Sequence, residues 1–119
     1  MTPPGLAVPT NLKPYTIAIL FPGPNYKALS DKSVPANLEL QAAHLNAVRA
    51  NVDAGLQILA APIITPGSRV SAFSVFASTV SIEQVTGIMQ KDPAIAAGRF
   101  IFEVHQAFFP SLDTIKMEY

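Results

Sequence analysis

The sequence predicts one α+β domain in which four strands and two helices follow the order β-α-β-β-α-β. Three observations carry that reading. Four apolar runs are rich in β-branched and aromatic residues. Two segments, after the first run and after the third, repeat apolar residues at helical spacing. The junctions carry turn and cap signals: Pro22-Gly23-Pro24, Gly55, Thr65-Pro66-Gly67-Ser68 and Asp92-Pro93.

Residues 15–21 read Tyr-Thr-Ile-Ala-Ile-Leu-Phe and form the first strand, stopped by the Pro-Gly-Pro cluster. Residues 25–35 are polar, end in proline and read as a loop. A helix is expected from about residue 36 to residue 54, with a stripe of Leu38, Ala42, Leu45, Val48 and Val52. Gly55 suits its C-terminal cap. Residues 56–64 are apolar and form the second strand. Residues 70–78 form the third, with Phe73, Val75 and Ala77 on one face and Ala72, Ser74, Phe76 and Ser78 on the other.

Ser81 with Gln84 three residues on makes a capping box that opens the second helix. Ile82, Val85, Ile88 and Met89 share one side of it, and Gly87 weakens it by about 1 kcal/mol relative to alanine. Asp92-Pro93 and Gly98 punctuate the return to a fourth strand at 100–108. There Phe100, Phe102, Val104 and Phe108 are expected to face the helices, and Ile101, Glu103, His105 and Ala107 the other way.

This order is the ferredoxin-like arrangement, with both helices on one face of a four-stranded antiparallel sheet. The other face would be bare in a monomer and too apolar for water. A homodimer packed sheet against sheet is therefore expected. The tail, residues 112–119, is expected either to add an edge or to reach the partner. The remaining boundary is a proline-rich extension, residues 1–14, ahead of a single domain at 15–119.

Composition narrows the function. Hydrophobic residues make up 50% of the 119, and charged residues 13%. That surplus is consistent with surface buried in an oligomer. The formal net charge is zero with no basic block, which speaks against nucleic-acid binding. Cysteine is absent, which removes disulfides, zinc-thiolate sites and thiol catalysis. No run reaches the roughly 18 apolar residues of a membrane helix. The N-terminus has neither the basic start nor the long apolar run of a signal peptide, so a cytoplasmic location is expected. A chain whose leader had been replaced by Met1 would read the same.

Three stretches fall into a recognisable pattern. They are Ala43-His44-Leu45, then Asp53-Ala54-Gly55 followed by Ile58-Leu59-Ala60-Ala61-Pro62, and Asp92-Pro93-Ala94-Ile95-Ala96-Ala97-Gly98 leading into Phe102-Glu103-Val104. Over about residues 15–108 the chain resembles the YCII family of the dimeric α+β barrel superfamily. It departs from the family pattern at Gln41, where an arginine is common, and at Ala61, where glycine is. The resemblance implies that His44 and Asp92 form a paired catalytic site. It also implies chemistry on small organic acids, lactones or phenolic compounds, without a metal or organic cofactor.

The residues by themselves are less specific. His44 lies about 100° from Leu45 around the helix, at the edge of the expected apolar stripe. Pattern alone favours a half-buried histidine bonded to backbone. Asp92 before Pro93 reads first as a turn residue. If the fold joins the two, the carboxylate would fix the imidazole tautomer for general acid/base work. Glu103 and His105 are expected in the dimer interface. Ser74, Ser78 and Arg69 are weaker candidates for lining a cleft, and Tyr26 and Phe21 for covering an aromatic ligand.

Two histidines without a ligand-spaced cluster make a poor metal site. Gly23 and Gly67 form no phosphate loop. Two readings stay open: an isomerase or lyase using His44 and Asp92, and a non-catalytic small-ligand-binding or interaction domain. A haem-handling or oxygen-using monooxygenase of the same superfamily has no supporting motif.

Overall fold

The structure is a computed structural model and describes residues 11–118. β1 (Lys13–Pro22) is followed by a short α1 (Tyr26–Leu29) and a long α2 (Pro35–Asp53). Then come β2 (Gln57–Pro62), β3 (Ala72–Phe76), α3 (Ile82–Lys91), a short α4 (Pro93–Ala96) and β4 (Phe100–Phe109). The sheet order is β2-β3-β1-β4 with every neighbour antiparallel. This is the expected ferredoxin-like α+β fold.

β1 starts at Lys13, two residues inside the stretch expected as an extension. Residues 1–10 of that stretch lie outside the described residues. The polar loop after β1 contains the one-turn α1, which sequence alone did not distinguish from coil. A helix this short has almost no propensity of its own and forms only where tertiary contacts hold it.

Local chemistry explains most boundaries. Pro35 opens α2 at a first-turn position, where its missing N–H costs nothing. Ser81 Oγ accepts from Gln84 N at 3.1 Å, and Gln84 Oε1 accepts from Ser81 N at 2.9 Å. Both halves of the capping box are therefore made. Asp92 precedes a proline, so its backbone is extended (φ −63°, ψ 129°) and α3 must end at Lys91. Its carboxylate then caps α4, accepting from Ala94 N at 2.9 Å.

The core lies between the sheet and its helices. Ala18, Leu20, Phe76, Val80, Val85, Met89, Ala94 and Phe100 form it, with Phe102 and Val104 packed alongside. The faces expected for β3 and for the first half of β4 are the observed ones. Phe108 departs from expectation. It lies on the helix side of β4, opposite Pro14, yet is 70% exposed. At that end of the β1–β4 ribbon the described residues leave it largely uncovered.

The inner face of α2 also differs from the expected stripe. Leu38 and Leu45 are 54% and 48% exposed and Ala42 is exposed, while Asn37, Val48 and Val52 are buried. Leu40, Gln41, His44, Ala47 and Asn51 complete the inner face. The helix is rolled by about one residue, roughly 100°, from the apolar stripe. His44 thus sits near the middle of the inward face rather than at its edge. Polar side chains are tolerated there because α2 stands over a cavity instead of packing flat on the sheet.

The tail folds back on its own sheet. Leu112 N donates to Tyr15 Oη at 2.7 Å, and Tyr15 Oη donates to Asp113 Oδ1 at 3.2 Å. Lys13 Nζ donates to Asp113 Oδ2 at 2.7 Å, and Ala60 N reaches Met117 Sδ at 3.5 Å on the β2 edge. Tyr15 is fully buried. The hydrogen bond and charge of Lys13 hold the Asp113 carboxyl below its ordinary range, and Asp113 raises the Lys13 ammonium.

The two shifts act at opposite ends of the pH scale. Asp113 stabilises the docked tail above the carboxylate range and ceases to as pH falls through it. Lys13 does so below the lysine range and ceases to as pH rises through it. Tail docking should therefore be flat from about pH 5 to about 9 and loosen below about pH 4. Amide hydrogen exchange of residues 112–117 reads this directly, and Asp113→Asn should lack the acid step.

Candidate active site

α2 and the helix-facing side of β2 and β3 enclose a cavity of about 640 Å³. Its apolar wall includes Leu20, Val48, Ala72, Met89 and Phe100, and Met117 of the tail closes one side. Its polar groups are Gln41, His44, Asn51, Gln57, Ser71, Ser74 and Asp92, with the exposed Lys91 also lining it. This size and mix suit a small, mainly apolar ligand with a few polar substituents.

His44 and Asp92 meet in the wall of this cavity. His44 Nδ1 lies 2.9 Å from Asp92 Oδ1 and 2.8 Å from Oδ2. Their side chains are only 14% and 9% exposed. A carboxylate only accepts, so Nδ1 carries the proton and donates it to Asp92. Among the described residues Nε2 has no hydrogen-bonding partner, and it is left to the cavity that the ring lines. The Phe100 ring backs the imidazole at 6.0 Å between centroids.

Asp92 is therefore both the cap of α4 and the partner of His44. Because the Asp-Pro turn and the α4 amide fix the carboxylate, it cannot swing away from the histidine without uncapping the helix. The turn reading and the pair reading of Asp92 both hold. No description of His44 as bonded to backbone is needed, since its ring partner is a side chain.

A second polar contact flanks the pair. Arg99 lies over the Phe100 ring, 4.9 Å from its centroid. Its Nη1 donates to Gln41 Oε1, and its Nε donates to Ser30 Oγ at 3.2 Å. Gln41 itself lines the cavity, so the guanidinium fixes the orientation of a cavity side chain. Sequence reading singled out Gln41 but not Arg99. The two lie 58 positions apart, and no local pattern joins them.

The other expected residues fall as follows. Ser74 lines the cavity, whereas Ser78 and Arg69 do not. Tyr26 packs on Phe100 at 5.8 Å as part of the core shell, and Phe21 lies on the opposite sheet face, paired with Ile101. Neither covers the cavity. His105 and Glu103 pair at 2.9 Å on that outer face, about half exposed. Gln57 was missed, although a polar residue inside the apolar run 56–64 was a visible anomaly. Among the described residues no group of three or more His, Asp or Glu is arranged to hold a metal. No helix there is long and apolar enough to cross a membrane.

No family model matches the chain, and no curated protein does. Among solved structures, the chain is similar to 5-chloro-2-hydroxyhydroquinone dehydrochlorinase (TftG) from Burkholderia phenoliruptrix AC1100, in complex with 2,5-dihydroxybenzoquinone. The TM-score is 0.51 at 18% identity, over 76% of this chain and 90% of that one. A likeness at this identity carries the fold.

Proposed function

We propose that the chain is a YCII-like acid/base enzyme that uses His44, oriented by Asp92, to isomerise or eliminate from a small phenolic, lactone or organic-acid substrate. The observation that carries this reading is the buried His44–Asp92 pair in the wall of a cavity of about 640 Å³. Nδ1–H to the carboxylate leaves the Nε2 lone pair for the substrate. Nε2 takes a proton from a ring hydroxyl or an acidic carbon. The imidazolium that forms is stabilised by Asp92. The proton then returns to another substrate atom in an isomerisation, or leaves with a departing anion in an elimination. The residues named need no cofactor for either step.

The apolar wall accommodates a ring, and Lys91 at the rim favours an acidic oxygen. The neighbouring dehydrochlorinase, solved with a dihydroxyquinone, supports the same ligand class for this fold. Chloride release from chlorinated hydroxyhydroquinones, with lactone and enol-acid isomerisation assayed alongside, tests the reading. Turnover that follows titration of one base supports it. No turnover of any member, with no binding of 2,5-dihydroxybenzoquinone, counts against it.

The same reading includes a homodimer through the outer sheet face. Ile17, Ile19, Phe21, Phe73 and Ile101 lie on that face at intermediate or high exposure. Light scattering should give twice the chain mass. Ile19→Lys, beside Phe73 and Glu103 in the register, should give a folded monomer. A wild-type chain that is monomeric at high concentration would remove the dimer.

A further inference from the structure

β2 carries a register irregularity between Gln57 and Leu59. Gln57 pairs with Phe76, whereas Leu59 pairs with Val75. Residues two apart on a regular strand share a face. Here they do not. Phe76 belongs to the helix-side core and Val75 to the outer face, so the extra residue turns Gln57 inward. The bulge thus places a long amide in an otherwise apolar strand at the cavity.

There its Nε2 donates to Ser74 Oγ at 3.0 Å. Both residues are almost fully buried, at 4% and 5% exposure, and both line the cavity. The single bond between them does not exhaust their capacity. A primary amide has two N–H donors and a carbonyl, and a hydroxyl both donates and accepts. The second amide N–H, the amide oxygen and the serine hydroxyl hydrogen have no partner among the described residues. Such groups gain by meeting a ligand that both donates and accepts.

We propose that Gln57 and Ser74 form a hydrogen-bonding subsite for a neutral hydroxyl or carbonyl oxygen of the ligand. The subsite lies on the sheet wall of the cavity, whereas His44 lies on the helix wall. It rests on the reading of this cavity as the ligand site and adds a substituent requirement: a ring with a second oxygen, not a singly substituted one. A carboxylate is the poorer guest there, since both groups are neutral and the lining cation, Lys91, is at the rim.

Phenol and hydroquinone, titrated anaerobically into the full chain and followed by NMR, test this. Hydroquinone should bind about fivefold more tightly, as expected for one added buried hydrogen bond. Gln57→Met and Ser74→Ala should each bring the two affinities within about twofold, chiefly by weakening that of hydroquinone. His44→Gln should keep the preference, which separates the subsite from the proton-transfer role. A preference that persists in both subsite variants, or equal wild-type affinities, overturns the subsite alone. Failure of both probes to shift any cavity resonance overturns it together with the ligand-site reading. Should Gln57→Met not fold, Ser74→Ala and the shift of the Gln57 side-chain amide on hydroquinone binding decide.

Discussion

His44→Gln is expected to lower turnover by about 10²- to 10⁴-fold, the usual contribution of a positioned general acid/base. Glutamine is close in size and can still donate to Asp92, so the fold should survive. Asp92→Asn makes a subtler change. Asparagine can still cap Ala94 N through its oxygen, and N-cap preference for the two residues is similar. Its amide group, however, can turn a donor toward His44 Nδ1. That ring nitrogen must then accept, which moves the proton to Nε2 and leaves the cavity facing the wrong tautomer. Turnover should fall at least about 10²-fold with little loss of stability. Nitrogen NMR of the imidazole should show the reversed tautomer. Unchanged turnover in His44→Gln would end the catalytic role. A lowered melting temperature with binding retained would instead favour the non-catalytic ligand-binding domain.

The largest stability loss outside the site is expected at Gly23. A Cβ there would lie 2.3 Å from the carbonyl oxygen of Gly98 and 3.0 Å from the carbonyl carbon of Arg99. Both obstacles are backbone and cannot rotate away. The same strip of chain is already bonded. Gly23 N donates to Arg99 O at 2.8 Å, Asn25 N to Gly98 O at 2.9 Å, and Asn25 Nδ2 to Ala97 O at 3.0 Å. Gly98 holds φ at +85°, with Asn25 Nδ2 close to where a side chain would stand. These contacts clamp the end of β1 to the turn between α4 and β4. Gly23→Ala should cost at least about 3 kcal/mol, the upper end of ordinary overpacking. The melting temperature should then fall by roughly 10 °C. Gly87→Ala is the control of opposite sign. Nothing lies within 4 Å of its Cβ position, so it should gain about 1 kcal/mol of helix stability. Equal melting temperatures for Gly23→Ala and wild type would refute the clamp.

The clamp also bears on the site. α4 begins at Pro93, one residue after Asp92, and ends just before the Ala97-Gly98-Arg99 strip that Gly23 and Asn25 hold. Displacing that strip moves the helix whose cap orients His44. Gly23→Ala should therefore lower turnover as well, though no atom of residue 23 lines the cavity.

The parts of this protein legible in its sequence are those decided over a few residues. β-branched runs bounded by Pro and Gly marked four strands within a few positions. Ser81 and Gln84 marked the start of α3, because a capping box is a contact three residues long. Asp92-Pro93 marked its end, because proline constrains the residue before it. The pairing of His44 with Asp92, a contact across 48 positions that no periodicity contains, was implied only by the sequence's resemblance to the YCII family.

The tertiary structure alone decided which way the elements turn. The stripe through Leu38, Ala42 and Leu45 is the more apolar face of α2, yet the face with Gln41, His44 and Asn51 points inward. A helix is rolled by the surface it meets, and here that surface is the rim of a cavity as well as a core. Likewise, alternation along β2 depends on β3 for its register, so Gln57 stood out in its apolar run while the bulge that turns it toward Ser74 did not. The tail settled on Lys13 and Tyr15 because a buried phenol head needed polar partners, and those partners, Leu112 N and Asp113, lie about a hundred residues away in the chain.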